Sequence, residues 1–187
     1  MNKKVEHLTK DVINRMNNTI VVFDTETTGF SRYNDRIVEF GALKLKNGIV
    51  VDKLECLINP TFEMRQEVID VHGITNDMVA NQPDERYFAP KIAEFFKDAV
   101  YLVAHNASFD IGFIEEMFRR CGYELNCEYI DTLFFARRML NSSSNKLCDL
   151  AKFLNIPITT SHRALADVET TVELLRHLAY RANNYGK

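Results

Sequence analysis

Apolar and polar positions along the chain fall into stretches of two periods. Ile20-Val21-Val22-Phe23 is a continuous apolar run rich in β-branching, and Asp24-Thr25-Glu26-Thr27-Thr28-Gly29 follows it, which predicts a buried strand running into a turn. Arg36 to Lys46 and Ile49 to Ile58 are two further apolar runs separated by Asn47-Gly48. Both turn residues tolerate positive φ, so the pair predicts an antiparallel hairpin. Asn59-Pro60 ends its second arm, because proline cannot donate to a ladder. Short apolar runs at Val100 to Ala104 and around Tyr129-Ile130 predict two more strands, making five.

The helical period takes over elsewhere. Val5, Leu8, Val12, Ile13 and Met16 predict an amphipathic N-terminal helix within residues 1–18, ahead of a single domain over 19–187. Further helices are predicted over Glu63 to Val71, after a cap at Thr75, from Pro83 through Phe88, Ile92, Phe95 and Phe96, and from an Asn106 or Ser108 cap to Gly122. Asp131 to Leu140, Lys146 to Leu154 and about Arg163 to Tyr180 complete the set, with a link at Asn141-Ser142-Ser143-Ser144-Asn145. A hairpin-rich first half followed by strands alternating with helices indicates an α/β domain with a mixed five-stranded central sheet and flanking helices.

Composition narrows the function classes. With 187 residues, 46% hydrophobic and 26% charged, the chain suits one core. A net charge of −3 provides no global attraction to nucleic acid, so any such binding must be local or assisted by metal. The first residues lead into no apolar signal region, and no run approaches a membrane span, so a cytoplasmic protein without membrane contact is expected. Cys56, Cys121, Cys127 and Cys148 have no zinc-like spacing and read as reduced thiols.

The acids carry the chemistry. Asp24 and Glu26 are two apart on a strand and therefore share a face, where charges about 4 Å apart repel by roughly 4 kcal/mol. A shared proton or a cation held by oxygen ligands offsets such repulsion. On the last helix Asp167 lines up with Thr171, Leu174 and Leu178 inside the apolar arc, and Asp110 lines up with Phe113, Ile114, Met117 and Cys121 on the earlier one. Each is in a first turn, where the helix dipole favours a carboxylate by about 0.3–1 kcal/mol. Carboxylates facing a core are expensive singly, and one shared metal site explains all four.

Phe23-Asp24-Thr25-Glu26-Thr27-Thr28-Gly29, His105-Asn106-Ala107-Ser108-Phe109-Asp110 and His162-Arg163-Ala164-Leu165-Ala166-Asp167 resemble, in order and spacing, the three motifs of the DEDDh (DnaQ-like) 3′-5′ exonuclease family. Within it the chain is similar to the proofreading exonucleases of bacterial DNA polymerase III, ε-like and PolC-type, over about Thr19 to Tyr180. The resemblance implies a ribonuclease H-like fold and hydrolysis of phosphodiester bonds from the 3′ end of single-stranded DNA, with two Mg²⁺ or Mn²⁺ ions and release of nucleoside 5′-monophosphates in proofreading or DNA trimming. It also leaves room for an exoribonuclease acting on short RNA or RNA 3′ ends. Asp24, Glu26, Asp110 and Asp167 would hold the metals, a set whose hard oxygen donors suit Mg²⁺ or Mn²⁺ over zinc. His162, with an ordinary pKa of about 6.5, would be the general base.

Thr27, His72 and Thr75 match positions near the terminal nucleotide. His105 either braces the turn before the Asp110 helix or touches substrate, and Phe109 either stacks on a base or joins the core. Arg119-Arg120 and Arg137-Arg138 either follow phosphates or face solvent. A DNA polymerase III catalytic subunit is the partner the resemblance suggests. The chain ends soon after the Asp167 helix, without the tail of ε-like proteins, so a free-standing nuclease and a piece of something larger are both open.

Overall fold

Six strands build one mixed sheet in a computed structural model that describes residues 2–158 and 163–184. The strands are β1 (Lys3–Lys4), β2 (Ile20–Thr27), β3 (Ile37–Lys46), β4 (Ile49–Leu57), β5 (Tyr101–Ala104) and β6 (Glu128–Asp131), in the spatial order β1-β6-β5-β2-β3-β4. Asn47 and Gly48 both take positive φ, 52° and 72°, and close the predicted hairpin between β3 and β4. β2 is antiparallel to β3 and parallel to β5, and β6 is parallel to both β5 and β1.

The sixth strand lies where the N-terminal helix was expected. Lys3 N donates to the Cys127 carbonyl at 2.9 Å and Val5 N to that of Tyr129 at 2.8 Å, so these residues satisfy the backbone of β6, which would otherwise be an open edge. Helix α1 is confined to Lys10–Arg15, with the Thr9 hydroxyl accepting from Val12 N. Val5, Leu8, Val12 and Met16 still pack on the core. Their apolar period predicts burial correctly but not conformation.

The remaining helices are α2 (Gln66–His72), α3 (Asn76–Ala80), α4 (Glu85–Phe96), α5 (Ala107–Cys121), α6 (Thr132–Met139), α7 (Leu147–Leu154) and α8 (Ala164–Asn184). α4 starts at Glu85 rather than at Pro83, because Asp84 caps it by accepting from Arg86 N, and Pro90 lies inside it. α5 starts at Ala107 without a side-chain cap. Its preceding residue Asn106 is left-handed (φ 69°), and Gly122, also left-handed, ends the helix as predicted.

Alternation along β2 divides the core into two layers. Val21 and Phe23 face α4 and α5, packing with Ile92, Phe96, Ile111 and Phe118, while Ile20 and Val22 face α8 and pack with Val168, Val172, Leu175 and Leu178. Each such buried side chain contributes about 1.5–3 kcal/mol relative to exposure. Among the described residues no helix is long and apolar enough to cross a membrane.

One detail of this topology makes room for chemistry. β2 pairs with β5 only from Ile20↔Tyr101 to Val22↔Val103, whereas it pairs with β3 as far as Thr27↔Ile37. Beyond Val22 one side of β2 is open, at the carboxyl end where ligands bind in open α/β sheets. The turn into α5 is held there by Asp131, whose Oδ1 accepts from Asn106 N at 3.1 Å, Leu133 N at 3.0 Å and Phe134 N at 3.4 Å. Asp131→Ala removes the α6 cap and leaves the Asn106 amide unpaired, so it should destabilise the fold by about 1–3 kcal/mol, with Asp131→Asn losing less. Urea melts of the two variants measure this. Equal loss in both would show that the cap geometry is not what holds the turn.

Candidate active site

Asp24 and Glu26 project from the same face of β2, the face covered by α8. Carboxylate oxygens of Asp24, Glu26 and Asp167 all lie within 4.8 Å of one another, an arrangement that could hold a metal ion. Asp167 reaches them from the first turns of α8, with its backbone N–H donating to the Arg163 carbonyl at 3.1 Å. Sequence positions 24, 26 and 167 are thus brought to one point.

Asp110 enters from the other face. It is buried on α5, and its Oδ1 accepts from both Thr25 N (3.1 Å) and Thr25 Oγ1 (2.7 Å). Thr25 is the residue between the two β2 acids, and its side chain points away from theirs. Its amide and hydroxyl hold Asp110 beside the cluster.

Such crowding has an electrostatic consequence. Burial raises the Asp24 carboxyl well above its ordinary value, with Asp110, Glu26 and Asp167 each pushing it further. Glu26 is raised to about 8 by burial and by Asp167 and Glu39. Asp110 is raised to about 7 by burial, against the lowering effect of its Thr25 hydrogen bonds. A cluster of hard oxygen donors that resists its own ionisation is the donor set a divalent cation stabilises. Glu39, opposite Glu26 in the β2–β3 register, is fully buried but paired with Arg163. In the sequence Glu39 is one acid between apolar residues of a strand, with no signal of its distant partner.

Beside Glu26 a cleft of about 170 Å³ is lined by Thr27, Gly29, Phe30, Val68, His72 and Phe109. Thr27, His72 and Phe109 therefore stand where a nucleotide could meet the acids. The Thr27 hydroxyl donates to the Gly29 carbonyl at 2.6 Å, shaping the turn. His72 accepts from Ile74 N on Nδ1 at 3.0 Å, and burial lowers its pKa, so the ring stays neutral with its proton on Nε2. Phe109 packs edge to face with Phe30, whose side chain is 90% exposed and which sequence reasoning did not single out. An apolar residue straight after the glycine of the first motif was the available signal.

The remaining candidates lie elsewhere. Thr75 caps α3 by accepting from Met78 N. Both ring nitrogens of His105 are engaged, Nδ1 with Thr132 Oγ1 at 3.0 Å and Nε2 with the Asn145 carbonyl at 2.9 Å, so it ties the α5 turn to the serine-rich link. Arg120 grips Glu85 through two 2.7 Å bonds. His162 lies outside the described residues.

A family model described as exonuclease matches residues 21–175, a span that includes every acid of the cluster. The chain belongs to this exonuclease family. The PolC-type DNA polymerase III of Oceanobacillus iheyensis is 43% identical to this chain over 176 residues, covering 90% of the chain and 12% of the polymerase. The chain thus spans about an eighth of the length of that relative. Among solved structures, exonuclease X in complex with 5′ overhanging duplex DNA is 28% identical, with a TM-score of 0.67 over 90% of this chain and 93% of that one. E. coli exonuclease I in complex with a dT13 oligonucleotide, 21% identical, superposes with a TM-score of 0.80 over 90% of this chain and 42% of its own, and shares the fold. The ribonuclease H-like architecture and the DnaQ-like exonuclease family expected from the sequence agree with these matches.

The protein should be least stable without metal at alkaline pH. Raised carboxyl pKa values mean that the folded state holds protons the unfolded chain has released, so stability falls as pH rises from 4.5, the ordinary Glu value, through about 8. Asp24→Asn relieves the repulsion. Its Tm in EDTA should equal or exceed that of the parent, with the larger gain at pH 8.5 than at pH 5.5, while turnover is lost. A lower Tm at both pH values, or retained turnover, would contradict the shared-charge account.

Proposed function

We propose that this exonuclease removes nucleotides one at a time from the 3′ end of single-stranded DNA, releasing nucleoside 5′-monophosphates in proofreading or trimming. The convergence of Asp24, Glu26 and Asp167 within 4.8 Å, with Asp110 beside them, carries the proposal. Asp24, Glu26 and Asp167 would hold one Mg²⁺ or Mn²⁺, and Asp24 with Asp110 a second. Bound there, such ions supply positive charge to the attacking and leaving oxygens and acidify water.

The chain's own residues do the rest. His162 directly precedes Arg163 and would take the proton of the attacking water. Water adds to phosphorus as the bond to the 3′ oxygen breaks, and that oxygen leaves on the shortened strand. Thr27 and His72 would position the last nucleotide, with Phe109 and Phe30 beneath its base. Exposed Phe30 and Tyr33 favour an unpaired strand, whose bases are free to stack at about 1–3 kcal/mol each. A net charge of −3 gives little with which to open a duplex. The PolC-type relative supports a replication setting and a DNA polymerase III catalytic subunit as partner.

Matched DNA and RNA oligonucleotides labelled at the 5′ end, a paired end and a circular single strand test the proposal with Mn²⁺ and with EDTA. Expected is a ladder shortening from the 3′ end of single-stranded DNA, slower on the paired end and absent from the circle and from EDTA. Faster loss of RNA would move the assignment to an exoribonuclease, and cleavage of the circle would exclude an exonuclease.

His162→Ala should lose about 10²- to 10⁴-fold in kcat while still binding Mn²⁺. The parent's acid limb should lie within a unit or two of about 6.5 and disappear in the variant. An unchanged limb and rate in His162→Gln would remove the imidazole from the mechanism.

A further inference from the structure

We propose that Glu39 and Arg163 are positioning residues that fasten the first turn of α8 to β3 and so set where Asp167 stands relative to Asp24 and Glu26. The inference rests on the exonuclease reading above and extends it to a pair outside the acid cluster.

The carboxylate of Glu39 is fully buried on β3, and among the described residues Arg163 and Ala164, at the start of α8, give it four hydrogen bonds. Arg163 Nε donates to Oε1 at 2.9 Å and to Oε2 at 3.2 Å, Arg163 Nη2 donates to Oε1 at 2.6 Å, and Ala164 N donates to Oε2 at 2.9 Å. Ala164 is the first residue of α8, and its amide is one of the donors a helix start leaves unsatisfied. A two-pronged guanidinium and a backbone amide converging on one carboxylate fix both the position and the rotation of the helix start, which a single contact could not.

A second observation is independent of charge. Gly41 lies two residues along the same face of β3, and a Cβ placed there would come within 2.6 Å of Leu165 N and 2.7 Å of the Ala164 carbonyl carbon. Strand and helix therefore touch backbone to backbone at this point, with no side chain as a spacer. Asp167 follows one turn later, and its N–H is bonded to the Arg163 carbonyl at 3.1 Å. On the other side Glu39 is the register partner of Glu26. The ion pair is thus built into both the strand that neighbours one metal-site acid and the helix turn that carries another.

Groups that hold a metal-binding side chain in place typically change metal affinity or activity by about 10- to 100-fold when removed. Glu39→Gln keeps an acceptor for Ala164 N but loses the charge facing Arg163. Arg163→Lys keeps the charge but loses the fork. Mn²⁺ affinity by electron paramagnetic resonance, kcat and KM on a 5′-labelled single strand, and Tm in EDTA should be measured for both, with Asp24→Asn as the inactive reference. Both variants should weaken Mn²⁺ binding by about 10- to 100-fold and lower kcat comparably, with KM for DNA within about threefold of the parent.

Mn²⁺ affinity within twofold of the parent in both variants would overturn the proposal, whatever happens to Tm, because the pair would then be structural only. If Glu39→Gln does not fold, Arg163→Lys decides alone. Should the parent itself release no nucleotide, the exonuclease reading fails, while the Mn²⁺ measurement still decides the positioning role.

Discussion

Like charges held together against their repulsion are the constraint on which the site depends. Asp24, Glu26 and Asp167 meet within 4.8 Å, a separation at which each pair repels by a few kcal/mol in a protein-like dielectric. The raised carboxyl pKa values of Asp24 and Glu26 record that repulsion. The cost is met by the rest of the fold, whose two apolar layers pack Ile20 to Phe23 of β2 from both sides and so anchor the strand just ahead of the acids.

The fold delivers the acids by three different routes. β2 provides two through its alternation, α8 provides one by lying across β2 and β3, and α5 provides one that Thr25 ties in from the opposite face. The early end of the β2–β5 ladder at Val22↔Val103 lets the third route exist, because Thr25 N is then available to Asp110 instead of to a neighbouring strand. Strand pairing and site construction are the same event at that residue.

Much of this was readable in the sequence because it is periodic or local. The Asn47-Gly48 hairpin, the face shared by Asp24 and Glu26, and the alignment of Asp167 with Thr171 and Leu174 follow from spacing alone. What escaped depends on distant partners. Lys3 and Lys4 form a strand only because β6 offers its edge, and nothing in two lysines says so. Glu39 looked like one polar residue in an apolar strand, and its partner is 124 positions away. Asn106 was legible as a helix start, but its amide is held by Asp131 rather than its side chain serving as the cap. His105 had two readings, and only the positions of Thr132 and Asn145 separate them.

The N-terminal strand has a consequence for where this domain begins. The exonuclease family model starts at residue 21, inside β2, yet Lys3 to Val5 cover the β6 edge, and Val5, Leu8, Val12 and Met16 pack partly buried against the core. A protein trimmed to the recognisable span would expose a raw strand edge and an apolar surface together, the pair of features that invites self-association. The family model and the packing therefore draw different borders on this chain, and the packing border is the outer one.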